Sequence, residues 1–310
     1  MQWLTGVPKF NFMKYRHTAL IVSAIVTLVA LGSLMVRGLN LGLDFTGGVI
    51  IEVSYPQEAD LEAIRSELES AGFETAQVQN FGSTSDVLIR LPPMEVAEDQ
   101  GAVQDQVLGI LRAQDRDVAL REFASVGSQV GEELTEQGGL AMLFALIMIF
   151  IYVMLRFRWK LAIGAIVATV HDVIVTMGFF SVFGLQFDLT VLGSVLAVMG
   201  YSLNDTIVVY DRIRDNFRLV RRGTPESIVN VSINQTLART LVTGVTGLLV
   251  LVALLFIAGD TLWGFSVALI VGIIVGTYSS IYVASAMALM LKVTPSDLVA
   301  AKQEKVDDLP

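Results

Sequence analysis

The sequence predicts a polytopic α-helical membrane protein with six transmembrane helices and one small α+β domain between the first and second helices. Hydrophobic residues make up 54% of the 310 residues and charged residues only 16%, whereas a soluble domain carries about 25% charged residues. Six apolar runs are long enough to cross the ~30 Å hydrocarbon layer of a bilayer. The intervening stretch is acidic and alternates between strand and helix patterns, as a soluble domain does.

The six apolar runs predict the transmembrane helices. They are Thr18–Val36, Leu140–Leu155, Leu161–Phe183, Leu189–Tyr210, Leu241–Ile257 and Trp263–Leu291. The first run could instead be the core of a cleaved signal peptide, but such a core covers only about 7–15 residues. Because this run is longer and ends in Met35-Val36-Arg37, we interpret it as an uncleaved anchor.

Lys and Arg in the short loops predict the orientation of the spans. Basic residues occur at 156–160, throughout 211–240 and at Lys292, whereas 184–188 and 258–262 contain no Lys or Arg. We therefore expect both termini on the cytoplasmic side and the soluble domain outside. The predicted segments are a cytoplasmic N-terminus (1–17), the first span (18–37), a periplasmic domain (38–137), spans two to six (138–292) with a cytoplasmic loop (211–240), and a cytoplasmic tail (293–310).

The domain at 38–137 is predicted to have the βαββαβ order of a ferredoxin-like fold. Val49–Tyr55, Thr75–Phe81 and Val87–Leu91 have strand patterns, and a fourth strand lies near residues 118–123. Helical spacing marks 60–71 and 103–111, and the composition of 82–86 is typical of a turn. A small α+β domain of this kind more often binds a partner than catalyses a reaction.

Composition excludes several classes of site. The domain carries 19 Asp and Glu against 5 Arg and no Lys, a balance of −14 that leaves about +5 for the rest of the chain. Without cysteine there are no disulfides or thiolate metal sites, and two histidines cannot form a His-rich metal cluster. We expect no metal, no cofactor, no enzymatic activity and no nucleic-acid partner.

Asp205 is the most informative residue of the fourth span. Tyr201 and Ser202 share its helix face because residues three and four apart lie together, and Asn204 is adjacent in the sequence. A carboxylate within a membrane span costs about 2.5–3.5 kcal/mol on insertion scales. Groups that are kept at this cost serve in proton relays, in ion sites or opposite a buried partner.

Asp172 and Arg239 are two further charged residues in or near the membrane spans. Asp172 lies near the middle of the third span, with Thr169 and Thr176 on its face; the adjacent His171 points roughly 100° away and is not expected to share that face. Arg239, at the mouth of the fifth span, either marks the interface or counters the carboxylate of Asp205. The structural alternative is that both carboxyl groups are protonated or hydrogen-bonded and only join helices.

Two intramembrane aspartates also raise the possibility of an aspartyl protease, whose carboxyl groups must share a water and a proton. The usual G-x-G-D frame is missing, since Ser202-Leu203-Asn204 precedes Asp205. In the last span, Gly272-x-x-x-Gly276 allows another helix to come close. That helix could belong to this chain or to a second subunit.

Six motifs in order resemble one family. They are L-G-L-D-F-T-G-G (41–48, with Asp44, Gly47 and Gly48), V-G-S-Q-V-G-E-E-L (126–134), H-D-V in the third span, G-Y-S-L-N-D-T-I-V-V-Y-D-R-I-R-D-N (200–216), I-N-Q-T-L-A-R-T-L (233–241) and G-I-I-V-G-T-Y-S-S-I-Y-V-A (272–284). Together they closely resemble the SecF family, the smaller half of the bacterial SecD–SecF protein-export subunit, which is similar to resistance-nodulation-division transporters.

The resemblance implies a role after the SecA motor and the SecY channel, in which the proton-motive force drives or completes polypeptide translocation. It implies that Asp205 is the membrane carboxylate for proton transport and Arg239 its basic partner, while Asp172 is only a motif match. The implied partners are SecD, the SecYEG channel, YajC, the translocating polypeptide and the lipid of a bacterial inner membrane. A scaffold without proton transport stays open, whereas half of a drug-efflux pump is disfavoured because the external domain is too small.

Overall fold

The computed structural model describes residues 9–92, 100–219, 223–257 and 262–294. The chain forms two compact units. One is a helical membrane unit, which takes in the chain up to residue 40, 142–185 and the chain from 190 onward; the other is an α+β unit of 41–141 with 186–189. The predicted tail and the predicted loop at 258–262 fall almost entirely outside the described residues.

The α+β unit has the predicted ferredoxin-like fold. Its main elements are β2 (Gly48–Ser54), α3 (Leu61–Ser70), β3 (Gln77–Phe81), β4 (Ser83–Leu91), α4 (Gln100–Gln114) and β5 (Ala119–Val126). The antiparallel sheet has the order β3-β4-β2-β5. The inward residues of the central strands, such as Ile51 and Ile89, are fully buried against apolar residues of both helices, such as Leu68 and Leu111.

One turn of this domain is shorter than expected. Strand β4 begins at Ser83, so the segment 82–86 is not a five-residue turn. Gly82 alone reverses the chain with a φ of +74°, a conformation that favours glycine. Ser54 pairs with Asp86 in the register and donates a 2.7 Å hydrogen bond to its carboxylate, which keeps the polar residues of β4 within the sheet.

The described residues include six long helices that correspond to the predicted spans. Each is long and apolar enough to cross a membrane; the spans run Phe12–Val36, Gln129–Arg156, Trp159–Phe183, Leu189–Leu219, Pro225–Ile257 and Trp263–Met290. The helices within them are α1 (Arg16–Val36), α5 (Ser128–Arg156), α6 (Trp159–Phe183), α7 (Leu189–Leu219), α8 (Pro225–Ile257), α9 (Trp263–Ser279) and α10 (Ser285–Met290). Short elements complete the chain: β1 (Asn40–Leu41), α2 (Leu43–Thr46) and β6 (Gln186–Phe187).

The segment predicted as the loop 211–240 is mostly helical. Helix α7 continues to Leu219, and α8 begins at Pro225. Thr224 accepts a hydrogen bond from the amide of Ser227, as a capping residue does. Residues 211–219 therefore lie on α7, and residues 225–240 lie on α8.

Three spans form the centre of the membrane unit. In the most apolar 18-residue stretch of each span, 56%, 56% and 50% of the residues are buried in spans three, four and six. The corresponding shares in spans one, two and five are only 11%, 11% and 17%. The peripheral spans therefore expose apolar side chains over most of their length. Both aspartates of interest lie on central helices, Asp172 on α6 and Asp205 on α7.

The apolar run of the sixth span predicted one continuous helix, but the helix is interrupted. A π-helical turn, Ser280–Ala284, separates α9 from α10. The fully buried Tyr210 donates a 2.8 Å hydrogen bond to the carbonyl of Ala284, and Ser285 donates one to the carbonyl of Ser280. Side chains thus satisfy main-chain groups that the irregular turn leaves free.

Candidate functional site

Asp172 is the centre of a buried hydrogen-bond network. Its carboxylate accepts hydrogen bonds from Ser202 of α7 and from Ser279 of α9, the latter at 2.7 Å. The side chain is fully buried. Both donors come from other helices, so this carboxylate links the three central spans.

His171 extends the network to the first span. Its Nδ1 lies 2.8 Å from the Asp172 carboxylate, and its Nε2 lies 2.8 Å from the hydroxyl of Ser23 on α1. Although adjacent residues point about 100° apart on a helix, the side chains of His171 and Asp172 meet. We call Ser23, His171, Asp172, Ser202 and Ser279 the Asp172 network.

The threonines on the face of Asp172 do not contribute to this network. Thr169 donates to the carbonyl of Ala165, and Thr176 donates to the carbonyl of Asp172 itself. Both bonds stay within α6, as is usual for helical threonine. The carboxylate is instead contacted by the adjacent His171 and by serines from distant parts of the sequence.

Asp205 has a different environment. The residue is 3% exposed, and in the described part of the chain its Oδ2 has no hydrogen-bond partner. Thr240 of α8 lies within hydrogen-bonding reach, and the guanidinium of Arg239 acts on the carboxylate electrostatically. The hydroxyl of Tyr201, one turn earlier, is also buried without a partner among the described residues.

A polar cleft of about 440 Å³ lies between α7 and α8. Its lining is Asn204, Ile207, Val208, Asp211, Arg212, Asp215, Gln235, Thr236 and Arg239. Asn204 is the sequence neighbour of Asp205, and Arg239 is the cation that acts on it. The cleft thus borders two neighbours of Asp205, although Asp205 itself is not part of its lining.

The Asp44, Gly47 and Gly48 motif has a structural function within the α+β unit. Asp44 accepts a 3.0 Å hydrogen bond from the amide of Leu189, the first residue of α7. A carboxylate at this end of a helix satisfies a free amide and stabilises the positive end of the helix dipole. Gly47 and Gly48 have φ values of +67° and +114°, which other residues rarely adopt.

The α+β unit also contains one well-satisfied buried carboxylate, that of Asp86. Hydrogen bonds from Ser54 and Ser83, with a smaller contribution from Arg121, hold the pKa of Asp86 below its ordinary value. All three partners belong to the sheet region, and Arg121 approaches Asp86 to 3.2 Å. These contacts join strands of the sheet.

Gly272 and Gly276 pack inside the chain. A Cβ atom at Gly272 would overlap the side chain of Val198 on α7, and one at Gly276 would lie 3.0 Å from Cβ of Ser202. Of the two interpretations that the sequence left open, the structure supports internal packing. The glycines allow α9 to approach α7 closely enough for Ser279 and Ser202 to reach the same carboxylate.

Gly272→Leu is therefore expected to destabilise the chain itself by about 1–3 kcal/mol, the usual cost of inserting bulk into a packed core. The purified variant should melt at a lower temperature in detergent, which a thermal-shift measurement detects. Gly193→Leu provides the control, because nothing lies within 4 Å of a Cβ atom at that glycine. Equal melting temperatures for wild type and Gly272→Leu, with loss only of a bound second subunit, would contradict this expectation.

Some contributing residues were not predicted from the sequence. Thr240 reaches Asp205, Ser279 reaches Asp172, and Ser23 reaches His171. The only sequence signal was the run of small residues in the last span, which includes Ser279. Serine and threonine are common in membrane helices, so their partners become evident only from the packing of those helices.

Comparison with known proteins is consistent with this arrangement. The family described as "Protein export membrane protein SecD/SecF, C-terminal" matches residues 106–294, and the "SecD/SecF GG Motif" matches residues 32–57. The chain is 50% identical to the protein translocase subunit SecF of Pseudomonas aeruginosa, over 97% of each chain. The chain belongs to the SecF family. A SecF from Escherichia coli O157:H7 is 43% identical, over 97% of this chain and 93% of that protein.

A solved relative gives the same fold. The crystal structure of SecDF, a translocon-associated membrane protein from Thermus thermophilus, is 37% identical and superposes with a TM-score of 0.83 over 93% of this chain. A structure of SecDF in a super-membrane-facing form gives a TM-score of 0.69 at the same identity. This chain spans 39% of the length of those solved chains. The six apolar helices and the membership of the SecF family identify this chain as a multi-pass membrane subunit of the protein-export machinery.

Proposed function

We propose that this SecF family member couples proton movement through its membrane helices to polypeptide translocation. Asp205 takes up and releases the proton, and Arg239 is the cation whose approach or withdrawal changes the charge that Asp205 favours. The observation that carries the proposal is the buried Oδ2 of Asp205, which has no partner among the described residues and lies beside Arg239 and Thr240 of the neighbouring helix. An opposite charge nearby favours the ionised carboxylate, and burial favours the neutral acid.

The polar cleft supplies the approach to this site. Its lining combines the carboxylates of Asp211 and Asp215 with the guanidinium groups of Arg212 and Arg239. Such a surface admits water far better than the apolar faces of the same helices do. In this proposal protons exchange between the cleft and Asp205 at the inner ends of α7 and α8.

A second candidate function is that of a scaffold that does not carry protons itself. The Asp172 network favours it, because this carboxylate is enclosed by donors and has the contacts of a structural link. The two functions are compatible at different residues, since Asp172 and Asp205 lie in different environments. In the coupling proposal Asp172 stabilises the helices and Asp205 titrates.

The deciding experiment measures proton flux and gradient-stimulated export in proteoliposomes that contain this chain with its SecD partner. Loss of both in Asp205→Asn, with normal assembly, supports coupling. Unchanged flux and export in that variant support the scaffold.

We further propose that the chain acts in a bacterial inner membrane, with the α+β domain in the periplasm and both termini in the cytoplasm. The proposed partners are SecD, the SecYEG channel, YajC and the emerging polypeptide, and the proposed step follows the SecA-driven one. The support is the asymmetry of Lys and Arg between the loops together with membership of the SecF family.

Single cysteines test this orientation directly, because the native chain contains none. A cysteine at the exposed Gln79 of β3 should react from outside intact spheroplasts with a membrane-impermeant thiol reagent. A cysteine at the exposed Leu219, the end of α7, should react only after the membrane is opened. Labelling of position 219 from outside would invert the proposed topology.

A further inference from the structure

The start of the first span is tied to the fifth span. Phe10–Arg16, which we call the N-terminal strap, contains a 3₁₀ turn at Phe12–Tyr15 and leads into α1. The amide of Phe10 donates to Oδ1 of Asn234 at 2.9 Å, and Nδ2 of Asn234 donates to the carbonyl of Phe10 at 2.8 Å. This side-chain amide thus binds both main-chain groups of one residue.

Asn230, one turn earlier on α8, makes a second pair of contacts. Its Nδ2 donates to the same carbonyl of Phe10 at 2.9 Å, and its Oδ1 accepts from the amide of Met13 at 3.4 Å. Residues four apart lie on one helix face, so the two asparagines form one binding surface. The surface recognises main-chain groups, and the side chain of Phe10 stays 60% exposed.

Other strap contacts fix the segment from both sides. Met13 is 1% exposed within the main apolar core of the membrane unit. Arg16 forms a 2.6 Å ion pair with Glu226 in the first turn of α8. The ring of Phe12 meets that of Tyr282, in the π turn of the sixth span, at 6.2 Å. The strap therefore connects α8 with the turn that interrupts the last span.

Most buried residues of helix α8 lie in the part of the helix that the strap contacts. Six of its nine buried residues precede Arg239, and they include Ile228, Ile233 and Asn234. Arg239 follows Asn234 by five residues, a rise of about 7.5 Å along the helix. The strap thus binds the packed part of α8 close to the residues that face Asp205.

We propose that the N-terminal strap positions α8, so that Arg239 and Thr240 stay beside Asp205. Asn230 and Asn234 are positioning residues in this scheme, and they act through Arg239 without touching the proton. The inference rests on the proposed proton coupling. It assigns to a segment outside the resemblance motifs a role in the geometry of the coupling site.

The test compares N230A/N234A with Thr246→Ala, whose hydroxyl donates only to carbonyls of its own helix. Each variant is reconstituted with SecD, and proton flux and recovery of the complex are both measured. We expect N230A/N234A to lower flux about tenfold at normal complex recovery, a smaller loss than the roughly hundredfold that a 1 Å misplacement of a reacting group causes. Thr246→Ala should leave flux unchanged.

A double-mutant cycle separates positioning from general stability. If the strap acts through Arg239, the strap substitutions should reduce flux much less in an Arg239→Lys background than in the wild type, because coupled sites are not additive. Equal fold-losses in both backgrounds, or wild-type flux in N230A/N234A, would overturn the inference. Flux that responds neither to Arg239→Lys nor to Asp205→Asn would instead overturn the proposed function, and the inference with it.

A substitution on the strap gives the same test without altering α8. Phe10→Pro removes the amide that Asn234 binds, whereas Phe10→Ala keeps it and removes an exposed ring. Loss of flux in Phe10→Pro but not in Phe10→Ala supports the main-chain clamp. Equal flux in the two variants excludes the main-chain clamp. This comparison decides the question even if N230A/N234A fails to assemble.

Discussion

Asp205→Asn is expected to abolish proton flux and the part of export that depends on the proton gradient, while ATP-driven export and assembly with SecD persist. Asparagine keeps the size of the side chain and a carbonyl oxygen for Thr240, but it does not change charge in the physiological range. The buried Oδ2 of Asp205 has no partner among the described residues, so the substitution breaks few contacts. Flux in proteoliposomes and recovery of the complex are the two measurements.

Variants of the same pair rank the alternatives. Asp205→Glu should keep part of the flux because it still titrates. Arg239→Lys should keep only part of the flux, because a compact charge replaces a planar one. Arg239→Ala should abolish the flux. A purely structural hydrogen bond at Asp205 predicts the reverse order, with Asn close to wild type and Glu disruptive. An Asn variant that still couples export to the gradient would remove Asp205 from the mechanism and make Asp172 the next candidate.

Asp172→Ala is expected to destabilise the folded chain severely, by about 3–5 kcal/mol, the usual cost of removing one member of a buried charged cluster. The substitution leaves the hydroxyls of Ser202 and Ser279 and the ring of His171 without their common partner in a fully buried site. Thermal unfolding of the purified chain in detergent should show a large fall in melting temperature, with reduced yield from membranes.

Thr176→Ala is the matched control for this effect. Thr176 is equally buried one turn away on α6, but its hydroxyl donates only to the carbonyl of Asp172. Its loss should cost far less than loss of the Asp172 carboxylate. If Asp172→Ala melted like Thr176→Ala and lost proton flux, Asp172 would be a carrier rather than a structural link. The two aspartates are thus distinguished by stability at one and flux at the other.

The sequence by itself determined the class and the layout of the protein. Composition and the six apolar runs predicted six spans because a segment of about 20 apolar residues has few alternatives to a transmembrane helix. Alternating patterns with intervening helices predicted the ferredoxin-like order, because side-chain periods of 2 and 3.6 are local properties. Asp205, Arg239 and Asp172 could be selected as candidates because charge within an apolar run is rare and costly.

Only the tertiary structure decided what those residues contact. The sequence placed His171 and Asp172 on different faces, yet they meet, and it could not place Ser279 or Ser23 near them. It left the partner of Gly272 open, and it did not predict that residues 186–189 join the α+β unit or that Asp44 binds Leu189. Periodicity fixes the face on which a residue lies, but helix packing brings faces together across 100 or more residues, and no local pattern records which ones meet.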